Sequence, residues 1–238
     1  MKILLLIPLL IVFTVSVFLT GCGFTKGNYP KSVEYAVSAS EERYGIELRI
    51  KRKALLPGGA GCDVYCTCKD LPGKEIRVYG MDKRPSHMLV CCDYIYQKYG
   101  DDFYRLTADT VHSLYPNHIV NMIENTYNHF PPRDYDRNTA FEDYIADNVM
   151  VVYDVVPEPL DKDEALSCYR RIKAALREKG INVVLKVQCM KNKAAADGVK
   201  AYDYIEDYSL FEYPKMKDTC CFVEEINGTP AAKIPEAG

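Results

Sequence analysis

The chain has 238 residues, 26% of them charged, with a formal net charge of −3, so it lacks the basic surplus that draws a protein to nucleic acid. Its length suits one large domain or two small ones with cores of their own, and two subdomains are expected. Tryptophan is absent, which argues against a sugar-stacking platform.

The first element is an uninterrupted apolar run from 3 to 19 behind Lys2, closed by Leu19-Thr20-Gly21-Cys22. Small residues let an extended backbone enter a peptidase cleft, and a cysteine directly behind them offers a thiol for acylation. The arrangement resembles the bacterial lipoprotein signal peptide with its lipobox. The resemblance implies removal of residues 1–21, a covalent lipid on Cys22, and a position on the extracytoplasmic face of the cell membrane. The alternative is a retained transmembrane helix, since the run is near the length that spans a bilayer. Removal of 1–21 leaves 217 residues with 29 Lys plus Arg against 33 Asp plus Glu, a net charge of about −4.

Residues 22–30 form a short lipidated tether that holds the domain close to the lipid. Ser32 then offers an N-cap, Val33, Val37, Ser40 and Tyr44 recur at helical spacing, and Gly45 supplies the stop. Apolar and charged residues alternate over 46–51, a half-buried strand. Residues 57–61 read as a connection: their glycines lack the Lys-Ser or Lys-Thr of a phosphate loop. In the next strand Cys62, Val64, Cys66 and Cys68 share one face and Asp63, Tyr65 and Thr67 the other. Leu71-Pro72-Gly73 turns the chain into a partner strand over 75–79, completing a three-stranded antiparallel meander after one helix.

Ser86 can cap a second helix with Met88, Cys92, Ile95 and Tyr99 as its stripe and Gly100 as its end. Arg43-Tyr44-Gly45-Ile46-Glu47-Leu48 can be laid over Lys98-Tyr99-Gly100-Asp101-Asp102-Phe103 as an internal repeat, although any helix ending on glycine before a strand looks alike. This helix, Tyr-Gly, strand junction resembles that of uncharacterised Gram-positive lipoproteins and transfers no functional residue. Pro116 opens a third helix with Ile119, Ile123, Tyr127 and Phe130 on one face. A short helix over 140–146 precedes a buried strand over 149–156. Asp161 and Glu164 have capping-box spacing, and Ala165, Tyr169, Ile172 and Leu176 form the stripe of a helix that ends at Gly180. An alternating strand over 181–189 completes a strand, helix, strand crossover, expected to be right-handed. Residues 191–198 read as loop, 219–226 as a last strand, and 227–238 as a disordered tail.

The chemistry-bearing residues form no recognisable signature. Nine cysteines remain beside Cys22, an odd number, and most lie inside apolar patterns as small buried hydrophobes. Cys62, Cys66 and Cys68 with Cys91 or Cys92 could make a thiolate metal site, but core packing is the preferred reading, and neither a metal nor any cofactor beyond the lipid is expected. His87, His112, His118 and His129 are scattered, with no His-Glu-x-x-His pair, and read as surface or helix-capping residues. No nucleophile elbow, Ser-x-x-Lys or Cys-x-x-Cys occurs. The acidic pairs Asp101 and Asp102, Asp134 and Asp136, and Glu206 and Asp207 have no spacing that declares catalysis. Arg49, Lys51 and Lys53, sharing a strand face, could meet anionic headgroups. Tyr202, Tyr204, Tyr208, Phe211 and Tyr213 alternate with acidic residues and are the candidate binding surface.

The expectation is an α+β fold: a helix plus antiparallel meander over 31–132, cystatin-like or similar to the cone-shaped nuclear-transport-factor fold, then a strand-helix-strand subdomain over 133–226. The expected role is that of a membrane-anchored, non-enzymatic binding module with an envelope protein as partner. The alternatives are a solute-binding lipoprotein and an envelope enzyme built from scattered carboxylates.

Overall fold

The computed structural model is α+β and describes residues 29–55, 61–81, 88–124, 135–147, 150–199, 216–226 and 228–234. It divides into two compact units, one ending at Gln97 and the other beginning at Lys98. The break falls well before the sequence boundary at 132, because residues of the expected third helix pair in the second unit's sheet. Among the described residues no helix is long and apolar enough to cross a membrane.

The first unit opens with helix α1, Tyr29–Tyr44. It begins ahead of Ser32, which is buried within it and is not its N-cap, because a proline at position 30 is tolerated in a first helical turn. Val33, Ala36, Val37, Ser40 and Tyr44 form the buried stripe, and Gly45, at φ 65, ends the helix. Four antiparallel strands follow in sequence order: β1 Leu48–Leu55, β2 Gly61–Cys68, β3 Ile76–Met81 and β4 Leu89–Cys92. Helix α1 packs on β2, β3 and β4. Glycine at position 80 permits the close approach, since a Cβ there would lie 2.6 Å from Met88 Sδ and 3.1 Å from Cys62 Sγ.

The fourth strand corrects the helix expected from Ser86. Leu-Val-Cys-Cys pairs with β3, placing Cys92 opposite Val78 and Cys91 opposite Tyr79. Asp93 stays against β3, its N–H donating to the Arg77 carbonyl at 3.1 Å and its carboxylate accepting from the Arg77 N–H at 2.7 Å, and helix α2 starts only at the next residue, Tyr94–Leu114. Gly100 is buried inside this helix, so the proposed repeat fails: Gly45 stops a helix and Gly100 does not.

The sheet of the second unit runs β5-β6-β7-β8-β9, with β5 Ile119–Glu124, β6 Met150–Val156, β7 Val184–Met190, β8 Thr219–Ile226 and β9 Thr229–Lys233. Only β6 and β7 are parallel, joined through helix α4, Lys162–Glu178, which follows the short helix α3, Phe141–Ala146. The apolar residues at 119 and 123 fit a helix period and a strand equally; β-branched content and the waiting edge of β6 decide for the strand. Residues 192–198 are not plain loop, because Asn192 caps a five-residue helix α5, Lys193–Asp197. Nor is the tail shapeless: Gly228, at φ 79, reverses the chain, and β9 pairs along β8 as an edge strand that tolerates Pro230.

Helix α4 packs on β7, β8 and β9 through Ala165, Cys168, Tyr169, Ile172 and Leu176. Both halves of its capping box form: the Asp161 carboxylate accepts from the backbone N–H groups of Asp163 and Glu164 at 2.9 Å, and Glu164 accepts from the N–H of Asp161 at 3.0 Å. Replacing Asp161 by Ala should cost about 1 kcal/mol, seen as a lower urea midpoint with unchanged m-value. An unchanged midpoint would show that the cap does not hold this helix.

Candidate functional site

Cys22 and the segment with Tyr202, Tyr204, Tyr208, Phe211 and Tyr213 lie outside the described residues, as do His87, His129, Asp134, Glu206 and Asp207. Asp101 is exposed on α2, as is Asp102, which pairs with Arg105 at 3.2 Å. Asp136 accepts from the backbone of Asn138 in a local turn. Among the described residues, Asp101 and Asp102 are thus taken up on a helix surface and Asp136 in a local turn.

The two faces of β2 separate as its period requires. Cys62, Val64, Cys66 and Cys68 are buried, and Cys62 Sγ donates to the Ser32 carbonyl of α1 at 3.8 Å. Cys91 and Cys92 point to opposite faces of β4, as their partners Tyr79 and Val78 do, so the two cannot both join the thiols of β2. Burial pushes the Cys66 thiol up to about 11 and the Cys92 thiol to about 12, which keeps both protonated at neutral pH.

The opposite face carries Asp63, Tyr65, Arg77 and Arg52. Arg77 forms a two-point bond to the Asp63 carboxylate, 2.9 Å at each contact, and Tyr65 Oη donates to the same carboxylate at 3.2 Å. Arg52 lies 3.5 Å from the Tyr65 ring centroid and bonds Glu75 at 2.8 Å. The hydrogen bonds that Arg77 donates to Asp63 hold its proton more firmly than usual. Each cation already faces a carboxylate, so this group stitches neighbouring strands and leaves little net charge for a ligand. A register shift between Ile50 and Arg52 corrects the expected basic stripe: Arg49 sits opposite Thr67 on the open face and Lys53 opposite Val64 on the other.

The second unit gathers the grouping that linear spacing hides. Asp154 sits mid-β6, where all seven residues are buried, and is itself 0% exposed. His118, 7% exposed, comes from the turn before β5 and holds both Asp154 oxygens through Nδ1, at 3.0 and 2.9 Å. It is therefore no surface histidine. Cys168, 4% exposed, projects from the inner face of α4, and ligand atoms of the three residues all lie within 4.8 Å of one another. The Tyr115 ring stacks on the imidazole at 4.5 Å and 7°, and its hydroxyl hydrogen-bonds the Cys168 side chain. The His112 ring lies with Nε2 3.0 Å from the His118 carbonyl, and Arg171 sits over the Tyr115 ring.

Burial raises the Asp154 pKa, and the His118 hydrogen bond opposes that rise. Burial, with the Asp154 charge, pushes Cys168 up to about 12. The trio has the composition of a nucleophilic triad, but its thiol is protonated and closed to water, unlike an activated nucleophile. It does supply the nitrogen, oxygen and sulfur donors that a borderline metal accepts. A single sequence signal could have found it: an aspartate inside Val-Val-Tyr-Asp-Val-Val is a polar residue where every neighbour demands burial.

No protein-family model matches the chain, and no curated protein matches it. Among solved structures it is similar to a DUF5037 family protein from Ruminococcus gnavus ATCC 29149, with 15% identity over 72% of this chain and 81% of that one, at a TM-score of 0.32. A superposition that loose carries no argument about function.

The thiols of the first unit should alkylate slowly in the folded chain at pH 8 and quickly in denaturant; full modification of Cys62, Cys66 and Cys68 without unfolding would overturn their burial. The folded chain holds the Cys66 proton to about 11, whereas an exposed thiol releases it near 9.0. The stability carried by that neutral thiol is therefore complete below pH 9 and falls as pH rises toward 11. Cys66→Ala should lessen this alkaline loss relative to the wild type in urea titrations at successive pH values.

Proposed function

We propose that the chain is a membrane-anchored extracytoplasmic lipoprotein that acts by binding an envelope partner and not by catalysis. The observation that carries this reading is Leu19-Thr20-Gly21-Cys22 behind an apolar run, which supplies a cleavage site and the thiol to be acylated at one point in the chain. The seven residues from Cys22 to Asn28, ahead of helix α1 at Tyr29, keep the folded part near the bilayer. Two features support the non-enzymatic part. The thiols at Cys66, Cys92 and Cys168 are all held in the protonated form by burial, and the cations on the open face of the first sheet are paired with carboxylates. The tyrosine-rich acidic segment from 202 to 213 is the proposed contact surface, because tyrosine offers broad apolar area with a polar tip.

In the native host, Cys22→Ala should abolish lipid attachment and leave the precursor uncleaved, which mass spectrometry of the amino terminus reads directly. An intact signal segment on the wild-type protein would refute the anchor. With the anchor intact, exchanging Tyr204 and Tyr208 for Ala should reduce crosslinked recovery of an envelope partner; unchanged recovery would remove the segment as the contact. Hydrolysis or group transfer by the purified chain would instead establish an envelope enzyme.

A further inference from the structure

We infer that His118, Asp154 and Cys168 form a binding site for one divalent metal ion of the zinc class, with Nδ1, a carboxylate oxygen and Sγ as ligands. This goes beyond the lipoprotein reading and does not depend on it. The three donors come from separate elements, the turn before β5, the middle of β6 and the inner face of α4, and all three side chains are shut away from water. Zinc bonds of about 2.0–2.3 Å to nitrogen, oxygen and sulfur place tetrahedral ligands about 3–4 Å apart. Donor atoms that already lie within 4.8 Å of one another need only small side-chain adjustments to reach that spacing. Nδ1 and the carboxylate, now 2.9 Å apart through a shared proton, would exchange that proton for the ion.

Charge balance favours the same conclusion. A dication bound by one carboxylate, one thiolate and one neutral imidazole makes a group of zero net charge, the form cheapest to bury. Two protons, from the thiol and from the imidazole–carboxylate pair, leave to solvent when the ion enters, which balances the step. The surroundings have the character of an outer ligand shell: Tyr115 stacks on the imidazole and bonds the sulfur with its hydroxyl, while the His112 ring meets the His118 carbonyl. Sulfur and imidazole donors select against calcium and magnesium, which require oxygen ligands.

The test uses the full chain, extracted in detergent under reducing conditions, stripped with chelator and titrated with cobalt(II). One equivalent should produce a near-ultraviolet thiolate-to-metal band that zinc then abolishes. Cys168→Ala should lose the band and bind about tenfold more weakly or worse, while Cys66→Ala, altered in the other unit, should retain it. No band in the wild type, or a band that survives Cys168→Ala, overturns the site. Should Cys168→Ala fail to fold, X-ray absorption on the zinc-loaded wild type decides: one sulfur among nitrogen and oxygen neighbours supports the assignment, and none or several refutes it. Each of these outcomes leaves the fate of Cys22 untouched, so this inference and the anchor fail separately.

Discussion

A carboxylate withdrawn completely from water must be met by a partner, and Asp154 imposes that demand on the second unit. Its strand is buried on both faces, with β5 on one side and β7 on the other, so no solvent path relieves the charge. Breaking such a buried pair by removing one member typically costs about 3–5 kcal/mol. The chain answers by ending α2 at Leu114, turning through Tyr115, and delivering His118 to the carboxylate immediately before β5 begins. Tyr115 then closes over the imidazole, and α4 lays Cys168 against the group, within reach of the Tyr115 hydroxyl. A polar cluster this enclosed fixes the register of three elements at once, because none can slide without exposing an unpaired group to an apolar surface.

The first unit meets its constraints differently. One face of its sheet is a dry contact with α1, filled by valine, isoleucine and cysteine, and tight enough that position 80 admits no Cβ without displacing Met88. The other face is held by arginines that reach across strands to carboxylates and lie over Tyr65. Guanidinium suits this work, since its planar fork takes a carboxylate at two points while its flat surface covers an aromatic ring. Polar residues on this face thus serve cohesion between strands, which a reading of exposed charge as a binding surface would miss.

Local rules explain which elements were legible in the sequence. Alternation over 61–68 names a strand and both its faces, and the Asp161 and Glu164 pair names the start of α4, because in each case the decisive contacts are a few residues apart. Residues 89–92 and 119–124 misled because apolar positions three or four apart fit a helix as well as an apolar strand; what decides is the open edge of β3 or β6, outside the segment itself. The strand at 229–233 was obscured by its proline and alanines, which have little intrinsic preference for a sheet and gain it from pairing with β8. The grouping of His118, Asp154 and Cys168 was invisible for the same reason on a larger scale. Its members are brought together by a crossover connection and share no motif.

The free thiols bear on the proposed extracytoplasmic location. Cys189 and Cys221 face each other across the antiparallel pair of β7 and β8, and all nine cysteines of the described residues are unbonded. On the outer side of a membrane such neighbours would be open to oxidation by exchange with a disulfide, which proceeds through a thiolate. Burial opposes that step twice. It blocks approach of the reagent, and it raises the thiol pKa: at about 11, as for Cys66, the thiolate fraction at neutral pH is on the order of 10⁻⁴, against a few per cent for an exposed cysteine. Cys189 is pushed higher still by the same burial, with Cys221 adding to the shift. The buried thiols can therefore stay reduced in an oxidising compartment for as long as the chain stays folded, and the packing that makes cysteine a useful small core residue here is also what protects them, a protection that the partly exposed Cys91, Cys92 and Cys220 share less.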